Sequence, residues 1–182
     1  MDTRTSSRSG KRLVLVATFW RCLFLLALLA GLMPSAPASA SVPEGLTRWG
    51  SGEYRWFGLA VYTATLWAGD DPAEPPLALR LDYQRAIAGT AIAEASVREM
   101  RRFVRDEAVL QQWGEAMRRV FPDVKPGDHL LGVYARDGVR FYQDERLLGE
   151  IALPGFAPAF FAIWLDARTS APALRAALLR RG

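Results

Sequence analysis

The sequence is short of the residue types on which most catalytic and metal sites are built. It has one cysteine, Cys22, one histidine, His129, no asparagine, and a single lysine, Lys125, beyond residue 40. Because Cys22 lies in the first forty residues, the remainder has no disulfide, no thiol nucleophile and no thiolate ligand. One histidine without a cysteine does not make a metal site, since the carboxylates sit mainly in turns and on helix surfaces, so neither metal nor cofactor is expected. His129 follows Pro126-Gly127-Asp128, and nothing at nucleophile-elbow spacing completes a triad with it. A nucleotide loop is also missing. Gly50-Ser51-Gly52 has Arg55 where a dinucleotide fingerprint needs a third glycine, and a strand follows in place of a helix.

Net positive charge disappears once the amino terminus is set aside. Arg4, Arg8, Lys11 and Arg12 precede an apolar run from Leu13 to Met33, interrupted by Arg21, and Ala38-Ser39-Ala40 supplies a small-x-small cleavage pattern before Ser41. This is the layout of an export signal, with cleavage near Ala40-Ser41 and a periplasmic or secreted product. The competing reading is an uncleaved anchor, which would be the only membrane contact. Residues 1–40 take five of the 23 Lys and Arg and one of the 19 Asp and Glu, leaving 18 of each. The high overall pI therefore belongs to the signal, and a nucleic-acid partner loses its support. Arg98, Arg101, Arg102 and Arg105 cluster, but Glu94, Glu99 and Asp106 interleave with them as on a solvated helix face.

What is plentiful is aromatic and β-branched sequence. Arg55 to Trp67 is apolar on both alternating faces and is expected to be one long central strand, with Trp56, Gly58, Ala60, Tyr62, Ala64 and Leu66 on a small-residue face that a helix layer can approach. Gly50-Ser51-Gly52 reads as the turn leading into it. Leu77 to Tyr83 alternates cleanly, with Leu77, Leu79, Leu81 and Tyr83 inward, and predicts an antiparallel neighbour. Helical periodicity follows from Ala91 and again after Asp106, with Leu110, Trp113, Met117, Val120 and Phe121 as the second helix's packing stripe. Strands over 130–135, 139–143 and 147–153 form a meander whose first turn is signalled by Asp137-Gly138. A buried helix over 156–165 and a last helix over 171–179, capped by Ser170, complete the chain. The pattern predicts an α+β domain over 41–182 with an antiparallel sheet and its helices on one side.

Arg55 is the awkward residue. An arginine in a strand buried on both faces must be paired or open to a cavity, because an unpaired buried charge costs several kcal/mol. Either it forms an ion pair or snorkels from a strand end, or it clamps the carboxylate of an apolar ligand with help from Tyr62 or Tyr83.

Several collinear motifs resemble bacterial chalcone isomerase-like proteins. They are Gly50-x-Gly52-x-x-Arg55 leading into Gly58-Leu59-x-Val61-Tyr62-x-Ala64-x-Leu66, then Leu81-x-Tyr83-x-Arg85 with Gly89, then Phe121-Pro122-x-Val124-x-x-Gly127-Asp128. The closing pieces are Phe160-Phe161-x-Ile163-Trp164-Leu165 and Leu174-Arg175-x-Ala177-Leu178-Leu179. The resemblance implies an open-faced sandwich, a large antiparallel sheet with a helix layer on one face and a ligand cleft between them. It also implies one of two activities: plant members close a chalcone to a flavanone, whereas related plastid proteins bind fatty acids through an arginine and a tyrosine. Phe57 stands where the enzymes carry a strand threonine, and their tyrosine, lysine and asparagine have no counterpart here. The resemblance thus favours binding of a fatty-acid-like apolar carboxylate through Arg55, or its rival Arg48, with Tyr62 and Tyr83. The alternatives are an isomerase or lyase using Arg55 as oxyanion clamp and Tyr83 as proton donor, and a structural or protein-binding module with a filled core.

Overall fold

A computed structural model describes residues 42–136 and 138–180. The expected signal over 1–40 and its cleavage point lie outside the described residues. Among them, six strands form one antiparallel sheet in sequential order: β1 (Thr47–Trp56), β2 (Leu59–Ala68), β3 (Leu77–Tyr83), β4 (His129–Ala135), β5 (Gly138–Gln143) and β6 (Arg146–Ile151). Two helices, α1 (Gly89–Met100) and α2 (Glu107–Val120), are inserted between β3 and β4, and α3 (Phe156–Leu165) and α4 (Pro172–Leu178) follow β6. The large hydrophobic cluster joins all four helices to one face of the sheet. On the other face a small patch around Ala78, Leu131, Val133 and Tyr142 is packed by Trp67 and by Val42 and Leu46 of the lead-in. This is the expected open-faced α+β sandwich. No described helix is long and apolar enough to cross a membrane.

The expected central strand is two strands. The run from Arg55 to Trp67 folds back at Phe57-Gly58, with Trp56 paired to Leu59. Both turn residues have positive φ, 47° and 77°. That is the geometry of a type I′ hairpin turn, for which only Gly58 is a favourable residue. The remaining alternation holds: Tyr62, Ala64, Leu66 and Ala68 face the helices.

Gly50-Ser51-Gly52, expected as a turn, lies inside β1. These glycines serve packing. A Cβ at Gly50 would run into the carbonyl oxygens of Ala177 and Leu178, and one at Gly52 would lie 2.8 Å from the Ala177 Cβ and 2.9 Å from the Leu174 Cδ1. α4 therefore rests directly on the backbone of β1. Its amino-terminal cap also differs from expectation, since Ala171 takes the cap position and the Thr169 Oγ1 accepts from the Ala171 amide at 3.2 Å.

The helix pair has long-range and local anchors. The Gly89 amide donates to the Asp123 carboxylate at 2.9 Å, which fastens the start of α1 to the exit of α2. Asp106 accepts from the Ala108 and Val109 amides and caps α2. In the meander, Ala135 pairs with Gly138, so Gly138, expected in the turn, opens β5. Gly138 is instead needed in the strand, where a Cβ would come within 2.9 Å of the Ile151 carbonyl.

Candidate functional site

The helix-facing side chains of the first three strands include three tyrosines in one row. Tyr54 pairs with Tyr62 across β1 and β2, and Tyr62 with Tyr83 across β2 and β3. The first two rings stack at 5.0 Å between centroids and the second two meet edge to face at 5.9 Å. Above this row α1 contributes Ala91, Ala95 and Ser96, too small to fill the space beneath them, together with Ile92, Arg98 and Glu99. The result is a cavity of about 360 Å³, within the range of roughly 300–1,000 Å³ usual for small-molecule sites. Leu79 and Leu81 line its floor, and Phe121, Phe141 and Phe160 wall it at the back. The exposed residues of its lining, Trp56, Ala91, Arg98 and Ser170, mark the mouth.

Polar atoms in this apolar chamber are few and placed. The Trp164 indole N–H donates to the Tyr62 hydroxyl oxygen at 3.1 Å, leaving the Tyr62 proton for another acceptor. Ser96 donates to the Ile92 carbonyl and Thr169 to the Ile163 carbonyl, so both hydroxyl protons are occupied. The Tyr83 hydroxyl has no partner among the described residues. Every enclosed side-chain polar atom described is hydrogen-bonded, so this hydroxyl must face open space, and the space it lines is the cavity. Burial pushes the Tyr83 phenol well above its ordinary pKa, with Tyr62 adding to the effect. Tyr62 is raised likewise, by burial against the opposing bond from Trp164, with the neighbouring Tyr54 and Glu99 adding to the rise. Tyr54 is raised by burial and then by Glu99. The row therefore presents neutral phenols, which can donate to an anion and cannot repel it.

The sequence-predicted residues separate. Tyr62 and Tyr83 both line the cavity, but Arg55 does not. It is neither buried nor within a central strand: its side chain is 60% exposed at the end of β1, ion-paired with Glu53 and donating to the Gly58 carbonyl at 3.0 Å. The hairpin turn at 57–58 explains this, since it brings the residue to a strand end. The cavity opens on the small-residue face of the run, and the bulkier alternate face is the outer one. Arg48 lies on β1 beside Ala177 and Arg180, at a separate shallow depression. Phe57 projects into solvent, 87% exposed.

The cation that does line the cavity is Arg98, on the last turn of α1. Its neighbours behave as a solvated face, with Arg101 bound to Glu107 at 2.9 Å and Arg102 to Glu99 at 3.0 Å. Arg98 makes no such pair among the described residues. The charge cluster in the sequence contained this residue, but periodicity alone does not tell which arginine meets the mouth. His129 stands 3.3 Å from Asp144, away from the cavity. Among the described residues no three histidine, cysteine or carboxylate side chains gather as a metal site.

Sheet, helix layer and interposed cavity define an open-faced α+β sandwich. A solved fatty-acid binding protein of Arabidopsis thaliana superposes with a TM-score of 0.57 at 12% identity, over 79% of this chain and 90% of that one. In sequence, the chain is 29% identical over 133 residues to an uncharacterized protein of Haemophilus influenzae, covering 71% of this chain. It spans 66% of that protein's length, just under two thirds. No protein-family model matches the sequence.

Proposed function

We propose that the chain binds a fatty-acid-like apolar carboxylate in the cavity between sheet and helices. The observation that carries this reading is the unpartnered Tyr83 hydroxyl inside an otherwise apolar chamber whose mouth carries the unpaired Arg98. The hydrocarbon portion lies along Leu79, Leu81 and the phenylalanine wall, which removes apolar surface from water. The carboxylate takes the Arg98 guanidinium and a tyrosine proton, charge-assisted bonds that a neutral head group would not strengthen. Tyr62 stays in the role expected for it, and the cation is Arg98 in place of Arg55. The fold of the Arabidopsis fatty-acid binding protein supports the class of ligand. Export of the domain to the periplasm or beyond, after cleavage near Ala40-Ser41, belongs to the same proposal.

The test is native mass spectrometry of the gently purified protein, followed by displacement of a fluorescent fatty acid. A co-purifying acidic lipid is expected. Arg98→Ala should weaken binding about tenfold and Tyr83→Phe about fivefold, the loss being larger where both partners of the hydrogen bond carry charge. Bare protein, with no thermal shift on adding fatty acids, would overturn the reading. Arg55 is paired with a protein carboxylate, as a purely structural module would have it, but the cavity gives that alternative no filled core.

A further inference from the structure

The β1–β2 hairpin tip carries a residue that its own turn does not favour. The first turn position of a type I′ hairpin needs positive φ and is ordinarily Asn, Asp or Gly. Here it is Phe57 at φ 47°, with a ring that is 87% exposed. Trp56 and Leu59 beside it are 61% and 50% exposed, so three large apolar side chains share one protruding tip. Internal packing does not account for them.

The charges around the tip have one sign left over. Arg55 is taken by Glu53, and Glu99 by Arg102. Arg85 donates to the Ala60 carbonyl at 3.1 Å, a neutral partner that leaves its charge uncompensated. Arg98 shares the cavity lining with Trp56 and is also unpaired among the described residues. An apolar tip flanked by two free guanidiniums is complementary to a bilayer with anionic head groups, where indole and phenyl rings enter the interface and arginines meet phosphate. Trp56 belongs to the tip and to the cavity rim, so whatever the tip enters faces the mouth.

We propose that the hairpin tip Trp56-Phe57-Gly58-Leu59 docks the protein on an anionic lipid surface and delivers the cavity mouth to it. This deepens the reading of the cavity as a lipid site, but the contact is measured separately from ligand binding. In a Cys22→Ser background, an environment-sensitive fluorophore is attached at Phe57→Cys or, as control, at Glu74→Cys in the loop at the opposite end of the sheet. Phosphatidylglycerol-containing vesicles should brighten and blue-shift the label at 57 and leave that at 74 unchanged, with a smaller response to pure phosphatidylcholine. Phe57→Asn, which gives the turn its preferred Asn-Gly pair and keeps the fold, should lower the response of a label at Leu59→Cys at least fivefold while fatty-acid displacement in solution is unchanged. Equal responses at 57 and 74, or no response at 57, overturn the proposal. A response that grows with protein concentration and needs no lipid would assign the tip to a second copy of the chain and overturn it as well.

Discussion

The two ends of the layer between sheet and helices are built from different aromatics. At the β4–β6 end, Phe121, Phe141, Phe156 and Phe160 meet one another at centroid distances of 5.0 to 6.4 Å, and Phe156 has no exposure at all. At the β1–β3 end the sheet's cavity-lining row is Tyr54, Tyr62 and Tyr83, and the helix above them leaves room at Ala91, Ala95 and Ser96. Phenylalanine closes one end because its ring has no polar atom to satisfy, and close packing is its best use. Tyrosine keeps the other end open, because each hydroxyl must reach a partner or a cavity. The chamber exists where the packing layer changes from rings without a polar atom to rings with one.

The largest break in this contrast is expected from Phe156→Ala. Emptying the closed end should cost about 3–5 kcal/mol, read as a lower urea midpoint at unchanged slope. The open end should fail first in alkali. Up to the ordinary phenol pKa of 10, folded and unfolded chains both carry neutral Tyr62 and Tyr83. Above it the unfolded chain ionises while the buried phenols resist, so stability falls as pH rises, by about 1.4 kcal/mol per pH unit per tyrosine until the folded-state values are passed. Tyr83→Phe should blunt this loss, and parallel unfolding curves at pH 8 and 11 for the two proteins would show it; identical pH losses would refute the assignment. Trp164→Phe removes the indole donor to Tyr62 and should cost about 1 kcal/mol in thermal unfolding while loosening the tyrosine row. The smallest stability effect is expected from Ala95→Leu, which fills part of the chamber. It should change stability by less than about 1 kcal/mol and still abolish fatty-acid displacement, whereas retained binding would mean that the cavity is not the site.

Most of the fold was legible in the residues because it depends on periodicity. The alternation of Leu77, Leu79, Leu81 and Tyr83, the two amphipathic helices and the apolar 156–165 run each match the structure. The hairpin at Phe57-Gly58 was hidden because a bulky aromatic occupies the position where turn chemistry is normally read, and an uninterrupted aromatic run looks like one strand. Gly50 and Gly52 misled in the opposite sense: their lack of a side chain serves α4, an element more than a hundred residues away in sequence. Of the cavity lining, the helix-facing placement of Tyr62 and Tyr83 was readable from strand parity. Arg55 falls outside the lining and Arg98 within it because whether an arginine meets a cavity depends on where a hairpin turns and how a helix is rotated.

The contact of α4 with the two β1 glycines also sets an order of events. Each strand lies beside its neighbour in sequence, so hairpins close over short loops at little entropic cost, apart from the seam between β3 and β4. β1, the earliest of the described strands, packs mainly under α4, the last of the described helices. Until residues 172–178 arrive, β1 has a partner strand but no lid. The side of the cavity that contains Tyr54 therefore matures only once α4 has docked, and a chain cut short before α4 would carry an unfinished edge at the rim of its own cavity.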